Sequence, residues 1–133
     1  MNFINHPTFL LRLALSMIMA MHCIPTMLDG SINGFGTEYL DKVGFAPFGL
    51  FLAWAVKLTH LIAIPLLLFN RYVMPVAIAN ILILIVGIFM VHLENGWYVV
   101  GGGRNGIEFN FLLIFSFLTL MFPHGLKRGN PLK

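Results

Sequence analysis

Five side chains with proton or hydrogen-bond chemistry stand inside or at the ends of apolar runs in this sequence: His22, Lys57, His60, His92 and Glu108. An ionised side chain at membrane depth costs about 3 kcal/mol on insertion scales, so each group is expected to face protein or a ligand. Histidine and glutamate exchange protons, and a lysine ammonium stabilises a developing oxyanion. The set indicates a polar site that could move protons, hold the head of a small redox molecule or bind a metal.

Lys57 is the least expected of the five. Counted from Pro47 it lies about 15 Å along its run, close to the middle of a membrane. Trp54, Lys57 and His60 follow at spacings of three, so they share one side of a helix. The ammonium needs an acceptor, and Glu108 is the only acid embedded in an apolar run. The sequence therefore predicts a Lys57–Glu108 pair, which either belongs to a site or only fixes helix packing.

The first apolar run has one polar and polarisable face. At about 100° per residue, six side chains fall within an arc of about 120°: Arg12, Ser16, Met19, His22, Cys23 and Thr26. We predict a structural role for Arg12, as a side chain that snorkels to the membrane surface. His22 is either a binding residue or a buried histidine bonded to a neighbouring helix.

The elements that must position these residues are membrane-spanning helices. The 133-residue chain is 59% hydrophobic and 10% charged, whereas roughly a quarter of a soluble protein is charged. A bilayer core of about 30 Å takes roughly 20 helical residues. Four continuous apolar runs approach that length: 8–28, 47–69, 73–91 and 107–122. We expect an all-α, integral membrane four-helix bundle that forms one domain over residues 1–133.

Basic residues predict the orientation of the bundle. Four of them lie on the side that also holds the N-terminus: Arg71, Lys127, Arg128 and Lys133. By the positive-inside rule both termini are expected in the cytoplasm, with the loops 29–46 and 92–106 facing outward. The net charge of +3 then reflects topology and gives no reason to expect a nucleic-acid partner. The first run lacks a cleavage pattern and is expected to be retained.

Helix topology brings polar groups from different runs to similar depths. His92 ends the third run and Glu108 begins the fourth, so both are expected at the outward end of the bundle near His22. We predict catalytic roles in proton transfer and hydrogen bonding for Lys57, His92 and Glu108. Five further residues are predicted to contact the substrate: His22, His60, Trp54, Trp97 and Arg104.

The loop between the third and fourth runs contains a glycine triplet at 101–103. It lacks the Gly-Lys-Ser/Thr ending of a phosphate loop, so a phosphate cradle is not expected. Glycines at these positions allow the loop to fold back on the bundle. We therefore expect Trp97, Tyr98 and Arg104 to close over the mouth of the site.

Metal and thiol chemistry find less support in the sequence. Two histidines and one glutamate are ligands that zinc, copper or iron accept, but no local spacing such as His-x-x-x-His is present, and no metal is predicted. Cys23 is the one cysteine of the chain, which excludes an internal disulfide and a Cys-x-x-Cys redox motif. Nearby methionines are interpreted as packing residues.

Four segments, in order, resemble the DoxX family of small membrane proteins, which includes the DoxD-like subunits of thiosulfate:quinone oxidoreductase. They are LLRLALSMIMAMHCIPTM, LLLFNRYVMPVAIAN, MVHLENGW and GGGRNGIEFNFLLI. The resemblance covers nearly the whole chain, and its specificity comes from the order and spacing of the segments. It implies a four-helix bundle of the bacterial inner (plasma) membrane that serves respiratory or redox enzymes.

The second run departs from the family pattern. Lys57 stands where the family would have a glutamate, and His60 stands where a small residue is common. Because the charge at this position is reversed, a role that the family assigns to the glutamate does not carry over to Lys57. The reversal is consistent with a specialised substrate.

Three hypotheses follow. The first is a subunit of a quinone-linked oxidoreductase complex, which holds a quinone in the outer half of the bundle and receives electrons from a protein partner, because the sequence has no haem, flavin or iron–sulfur motif. The second is a non-catalytic membrane subunit or assembly factor whose polar residues join helices. The third, a small transporter, is weaker because no inverted repeat is visible. Lipid and a second copy of the chain are further expected partners.

Overall fold

The computed structural model describes residues 3–101 and 105–126, and this part of the chain is all-helical, without a strand. Five α-helices follow in chain order: α1 (Phe9–Leu28), α2 (Ser31–Gly34), α3 (Gly49–Leu68), α4 (Val73–Gly87) and α5 (Glu108–Met121). After Gly87 the helix continues as a π-helical turn, Ile88–His92, and a 3-10 turn, Leu93–Asn95. The predicted all-α class is confirmed. The tail lysines and arginine that entered the orientation prediction lie outside the described residues.

Within the described residues, three helical stretches are long and apolar enough to cross a membrane: Phe9–Leu28, Gly49–Leu68 and Val73–Asn95. Lipid offers no hydrogen-bond partner to the backbone, so a continuous apolar run must satisfy its own amides as a helix. α5 is apolar but has only 14 residues. Large apolar side chains are exposed along α4 at helical spacing, among them Met74, Ile78 and Leu82. Such a face suits contact with lipid rather than with water.

The helices belong to two compact units. One, the α1–α3 unit, consists of residues 13–71 and so contains most of α1, with α2 and α3. The other, the α4–α5 unit, consists of the described parts of residues 1–12 and 72–133. His22, Lys57 and His60 fall in the first unit, whereas His92 and Glu108 fall in the second.

The segment 29–46, expected to be a loop, is helical over most of its length. α2 leads into a π-helical segment, Phe35–Phe45, that packs along α3. Asp41 Oδ1 accepts a hydrogen bond from the backbone N–H of Gly49, at 2.8 Å, and thereby satisfies one of the free amides at the start of α3. The glycines and charged residues of this segment suggested a loop, but tertiary contact with α3 stabilises the helix.

Gly36 and Gly49 permit a close approach of two backbones in the α1–α3 unit. A Cβ added to Gly36 would lie 2.6 Å from Leu50 Cα, and one added to Gly49 would collide with the Gly36 carbonyl oxygen and the Asp41 carboxylate. Contacts this short with backbone atoms cannot be relieved by a change of rotamer. The glycines therefore set the distance between the Phe35–Phe45 segment and the first turn of α3.

We predict that Gly36→Ala lowers the free energy of unfolding by about 2 kcal/mol, because the added methyl group must separate the two backbones. Gly34→Ala is the matched control. It lies two residues earlier with helical φ of −60° and has open space around an added Cβ. The control should leave stability unchanged or raise it slightly. Thermal unfolding followed by circular dichroism in detergent measures both variants, and equal melting temperatures would contradict the proposed contact.

Candidate functional site

Lys57 is buried in the α1–α3 unit and bonded to the backbone of α1. Its side chain is 9% exposed, and its Nζ donates to the carbonyl oxygen of His22 at 2.7 Å. Pro25 lies inside α1 and has no N–H, so the neighbouring carbonyl of Met21 lacks its usual helical donor. The ammonium thus binds α1 where its hydrogen-bond ladder is interrupted.

A second bond joins the same two helices in the opposite direction. Ser16, 2% exposed on α1, donates its hydroxyl to the carbonyl oxygen of Ile64 on α3, at 3.3 Å. Ile64 directly precedes Pro65, the proline within α3. Each helix therefore carries one proline and receives a side-chain donor from the other helix close to it. These two bonds fix the relative depth of α1 and α3 within their unit.

His60 is the exceptional group of the α1–α3 unit. It is 2% exposed, and within the described residues neither of its ring nitrogens has a hydrogen-bond partner. The ring of His22 meets it edge-on, with 5.4 Å between ring centroids and 62° between planes, while the His22 side chain remains exposed. Lys57 lies one turn before His60 on α3. We call His22, Lys57 and His60 the imidazole–lysine cluster.

Trp54, also predicted to contact substrate, has a partner of its own. Its indole N–H donates to the side-chain oxygen of Asn33, at 3.0 Å, and Asn33 belongs to α2. The bond ties α2 to α3 one turn before Lys57. The structure thus places Trp54 beside the imidazole–lysine cluster along the helix, with its polar atom already used.

In the α4–α5 unit, His92 and Glu108 organise the loop that joins the two helices. The Glu108 carboxylate accepts hydrogen bonds from the backbone amides of Val99, at 2.7 Å, and Val100, at 3.0 Å. The Nδ1–H of His92 donates to the carbonyl oxygen of Asn105 at 2.7 Å. Both members of the predicted Lys57–Glu108 pair thus have other partners, each within its own unit.

The same loop is closed by its backbone. The amide of Ile107 donates to the Gly96 carbonyl and that of Glu108 to the Trp97 carbonyl, at 3.1 and 3.0 Å. A Cβ on Gly106 would lie 2.5 Å from the carbonyl oxygens of Trp97 and Tyr98. Gly106 is therefore a glycine that a close approach requires, whereas two glycines of the triplet singled out in the sequence, Gly102 and Gly103, lie outside the described residues. Arg104, predicted to contact substrate, lies outside the described residues.

Trp97 packs within its own unit, with its ring 5.4 Å from that of Phe111 on α5.

Arg12 is fully buried in the same unit. Its Nε donates to the Thr8 hydroxyl at 3.2 Å, and its guanidinium lies 5.9 Å from the centre of the Phe9 ring. Arg12 is thus buried within the protein, whereas a snorkelling arginine would hold its guanidinium at the membrane surface.

Sequence reasoning missed two buried amides in the α4–α5 unit. Asn80 is fully buried on α4 and donates to the Val76 carbonyl at 2.8 Å, while its Oδ1 has no partner within the described residues. Asn110, 7% exposed on α5, lies against Gly87 of α4. An amide within an apolar run is the signal that would have found both.

Across the described residues, no three His, Cys, Asp or Glu side chains are arranged to hold a metal ion.

Comparison with known proteins gives no relative for this chain. No family model matches it, and neither a curated protein nor a solved structure does. The DoxX resemblance thus stays a prediction that rests on the four quoted segments.

Glu108→Ala should release the loop that follows the 3-10 turn. Hydrogen bonds to a carboxylate contribute about 2 kcal/mol each, so we expect the amides of Val99 and Val100 to exchange hydrogen at least about tenfold faster in the variant. Glu94→Ala, which removes an exposed acid from the Leu93–Asn95 turn, is the control and should leave both rates unchanged. Hydrogen exchange read by mass spectrometry measures this; unchanged rates in Glu108→Ala would refute the assigned role.

His60→Leu should raise the free energy of unfolding by about 1 kcal/mol, because it removes two ring nitrogens that are buried without partners. Ser16→Ala, at the same helix pair, should lower it by about 1 kcal/mol through loss of the bond to Ile64. The two variants should therefore shift the melting temperature in opposite directions, and both melting temperatures are measured in the same detergent. A melting temperature lowered by His60→Leu would mean that His60 stabilises the helix pair.

Proposed function

We propose that this chain is a multi-pass membrane subunit of a quinone-linked oxidoreductase complex, and that it holds the quinone head at the imidazole–lysine cluster. The observation that carries the proposal is His60, which is buried with both ring nitrogens unpaired. Buried polar groups in folded proteins are almost always hydrogen-bonded. A buried polar group without a partner lowers stability, so its presence needs a reason. A ligand that completes the hydrogen bonds of His60 would be such a reason.

The donors of the cluster fit a quinone. A neutral imidazole presents one N–H donor and one acceptor nitrogen, and an ammonium presents three donors. One donor of Lys57 is used on the His22 carbonyl. A quinone carbonyl oxygen could therefore accept from Lys57 and His60, and the ammonium of Lys57 could supply a proton when electrons from a partner reduce the quinone.

The depth of the cluster favours a substrate that dissolves in the bilayer. His22 lies six residues before the end of α1, and Lys57 eight residues after the start of α3. At 1.5 Å per residue these are about 9 and about 12 Å from the helix ends. A quinone in the bilayer reaches that depth laterally, past the exposed ring of His22, whereas a water-soluble substrate would have to leave water first.

The proposed topology has four spans, with both termini in the cytoplasm. α5 would be the fourth span; its 14 residues measure about 21 Å, so the bilayer must thin or flanking residues must complete the crossing. Arg71, in the turn between α3 and α4, supports a cytoplasmic location for that turn. Membership of the DoxX family and residence in the bacterial inner membrane belong to the same proposal.

Roles within the proposed site differ from those predicted from sequence. Lys57 and His60 would bind and protonate the head group, with His22 beside them. His92 and Glu108 are engaged with Asn105 and with loop amides, so we now assign them to the loop. Electrons would reach the quinone from a partner subunit, since the sequence carries no motif for a redox cofactor.

The second candidate function is that of a non-catalytic subunit or assembly factor. The bonds from Lys57 and Ser16 to backbone carbonyls favour it, because they use polar side chains to join helices. In that case His60 would have no ligand.

Quinone binding by the purified chain separates the two candidates. In a Trp97→Phe background, Trp54 is the remaining tryptophan and its quenching by a short-chain ubiquinone in nanodiscs reports occupancy. We expect saturable quenching and at least about tenfold weaker binding in His60→Leu, which loses one hydrogen bond to the head group. Thr59→Val, whose hydroxyl bonds its own helix at Ala55, is the control and should bind normally. Absent or unchanged binding would favour the second candidate.

A further inference from the structure

The positive charge of Lys57 has no negative partner in the described part of the chain. Its ammonium is bonded to a neutral carbonyl. All five acids of the sequence lie within the described residues: Asp29, Glu38, Asp41, Glu94 and Glu108. None is within α1 or α3.

Three of the acids are already engaged with backbone amides. Asp29 accepts from Ser31, Asp41 from Gly49, and Glu108 from Val99 and Val100. Glu38 and Glu94 are exposed, in the Phe35–Phe45 segment and the Leu93–Asn95 turn. Residues 3–101 and 105–126 therefore supply a hydrogen-bond acceptor for Lys57 but no countercharge.

A buried ammonium is strongly stabilised by an anion, since their attraction is large where water is excluded. His60 stands one turn further along α3 with an unused ring N–H. Together the two side chains form a pair of donors, one of them cationic, at the depth of the bilayer interior. An ionised oxygen acid would satisfy both groups, whereas a neutral carbonyl would leave the charge uncompensated.

We infer that the imidazole–lysine cluster selects the anionic form of a membrane-soluble oxygen acid, in which an acidic hydroxyl or carboxyl group is carried on an apolar body. The inference rests on the proposed function for the location of the site and adds the charge of its ligand. An apolar body is required because the cluster lies at bilayer depth.

Two pairs of probes test the charge preference in nanodiscs of neutral phosphatidylcholine. The first pair is a hydroxynaphthoquinone, ionised at neutral pH, and its parent naphthoquinone. The second is dodecanoate and dodecanol. We expect each anion to bind at least about tenfold more tightly than its neutral partner, which corresponds to one charge-assisted hydrogen bond. Isothermal titration calorimetry gives all four affinities on the same scale.

Variants assign the preference to Lys57. Lys57→Met should abolish the difference within each pair, and Lys57→Arg, which keeps the charge, should retain much of it. Thr59→Val is the control and should behave as the parent chain. Circular dichroism and gel filtration verify that each variant is folded. A preference that survives Lys57→Met in a folded variant would overturn the inference.

The outcomes also separate this inference from the proposed function. Binding of both naphthoquinones with equal affinity would refute the charge preference and leave the quinone site standing. Tight binding of dodecanoate with no binding of either quinone would refute the quinone site and support an anion site. Binding of none of the four probes would refute both.

Discussion

The α1–α3 unit depends on a constraint imposed by lipid: polar groups inside an apolar helix pair must find their partners within the protein. Pro25 and Pro65 each interrupt a helix, and near each proline a side chain from the opposite helix reaches a carbonyl. Lys57 and Ser16 are these donors. Lys57 stands one turn before His60 on α3, so the side chain that bonds to α1 belongs to the imidazole–lysine cluster.

The α4–α5 unit meets the same constraint at its loop. Glu108 begins α5 and gathers two loop amides, while His92 ends the helical stretch before it and binds a loop carbonyl. A carboxylate at a helix start also interacts favourably with the helix dipole. His92 and Glu108, which the sequence predicted to transfer protons, thus form hydrogen bonds that connect 96–101 and 105–108 with the ends of the neighbouring helices.

His60 differs from the other polar residues of the α1–α3 unit. Other features of the α1–α3 unit, among them the glycine contact at Gly36 and the Ser16 bond, improve packing or satisfy a polar group. His60 does neither. An apolar residue in its place would remove two buried ring nitrogens that have no hydrogen-bond partner within the described residues. A position that breaks the local rule in an otherwise consistent structure is a candidate place for a ligand, and this is the reason for proposing a site at the imidazole–lysine cluster.

By itself the sequence determined the helices and the chemistry available to them. Apolar runs of membrane length fix where α1, α3 and α4 lie, because a backbone in lipid has no alternative to the helix. It also identified His22, Lys57 and His60 as unusual, since spacing alone places polar groups on one helix face.

Only the tertiary structure decided which partner each polar group has. Lys57 binds the His22 carbonyl, Arg12 is buried, and most of 35–45 is helical, with an interruption at Gly44. The physical reason is that partners depend on the rotation and relative depth of neighbouring helices, and on contacts such as that of Gly36 with Leu50. Local periodicity specifies a face of a helix but not what that face meets.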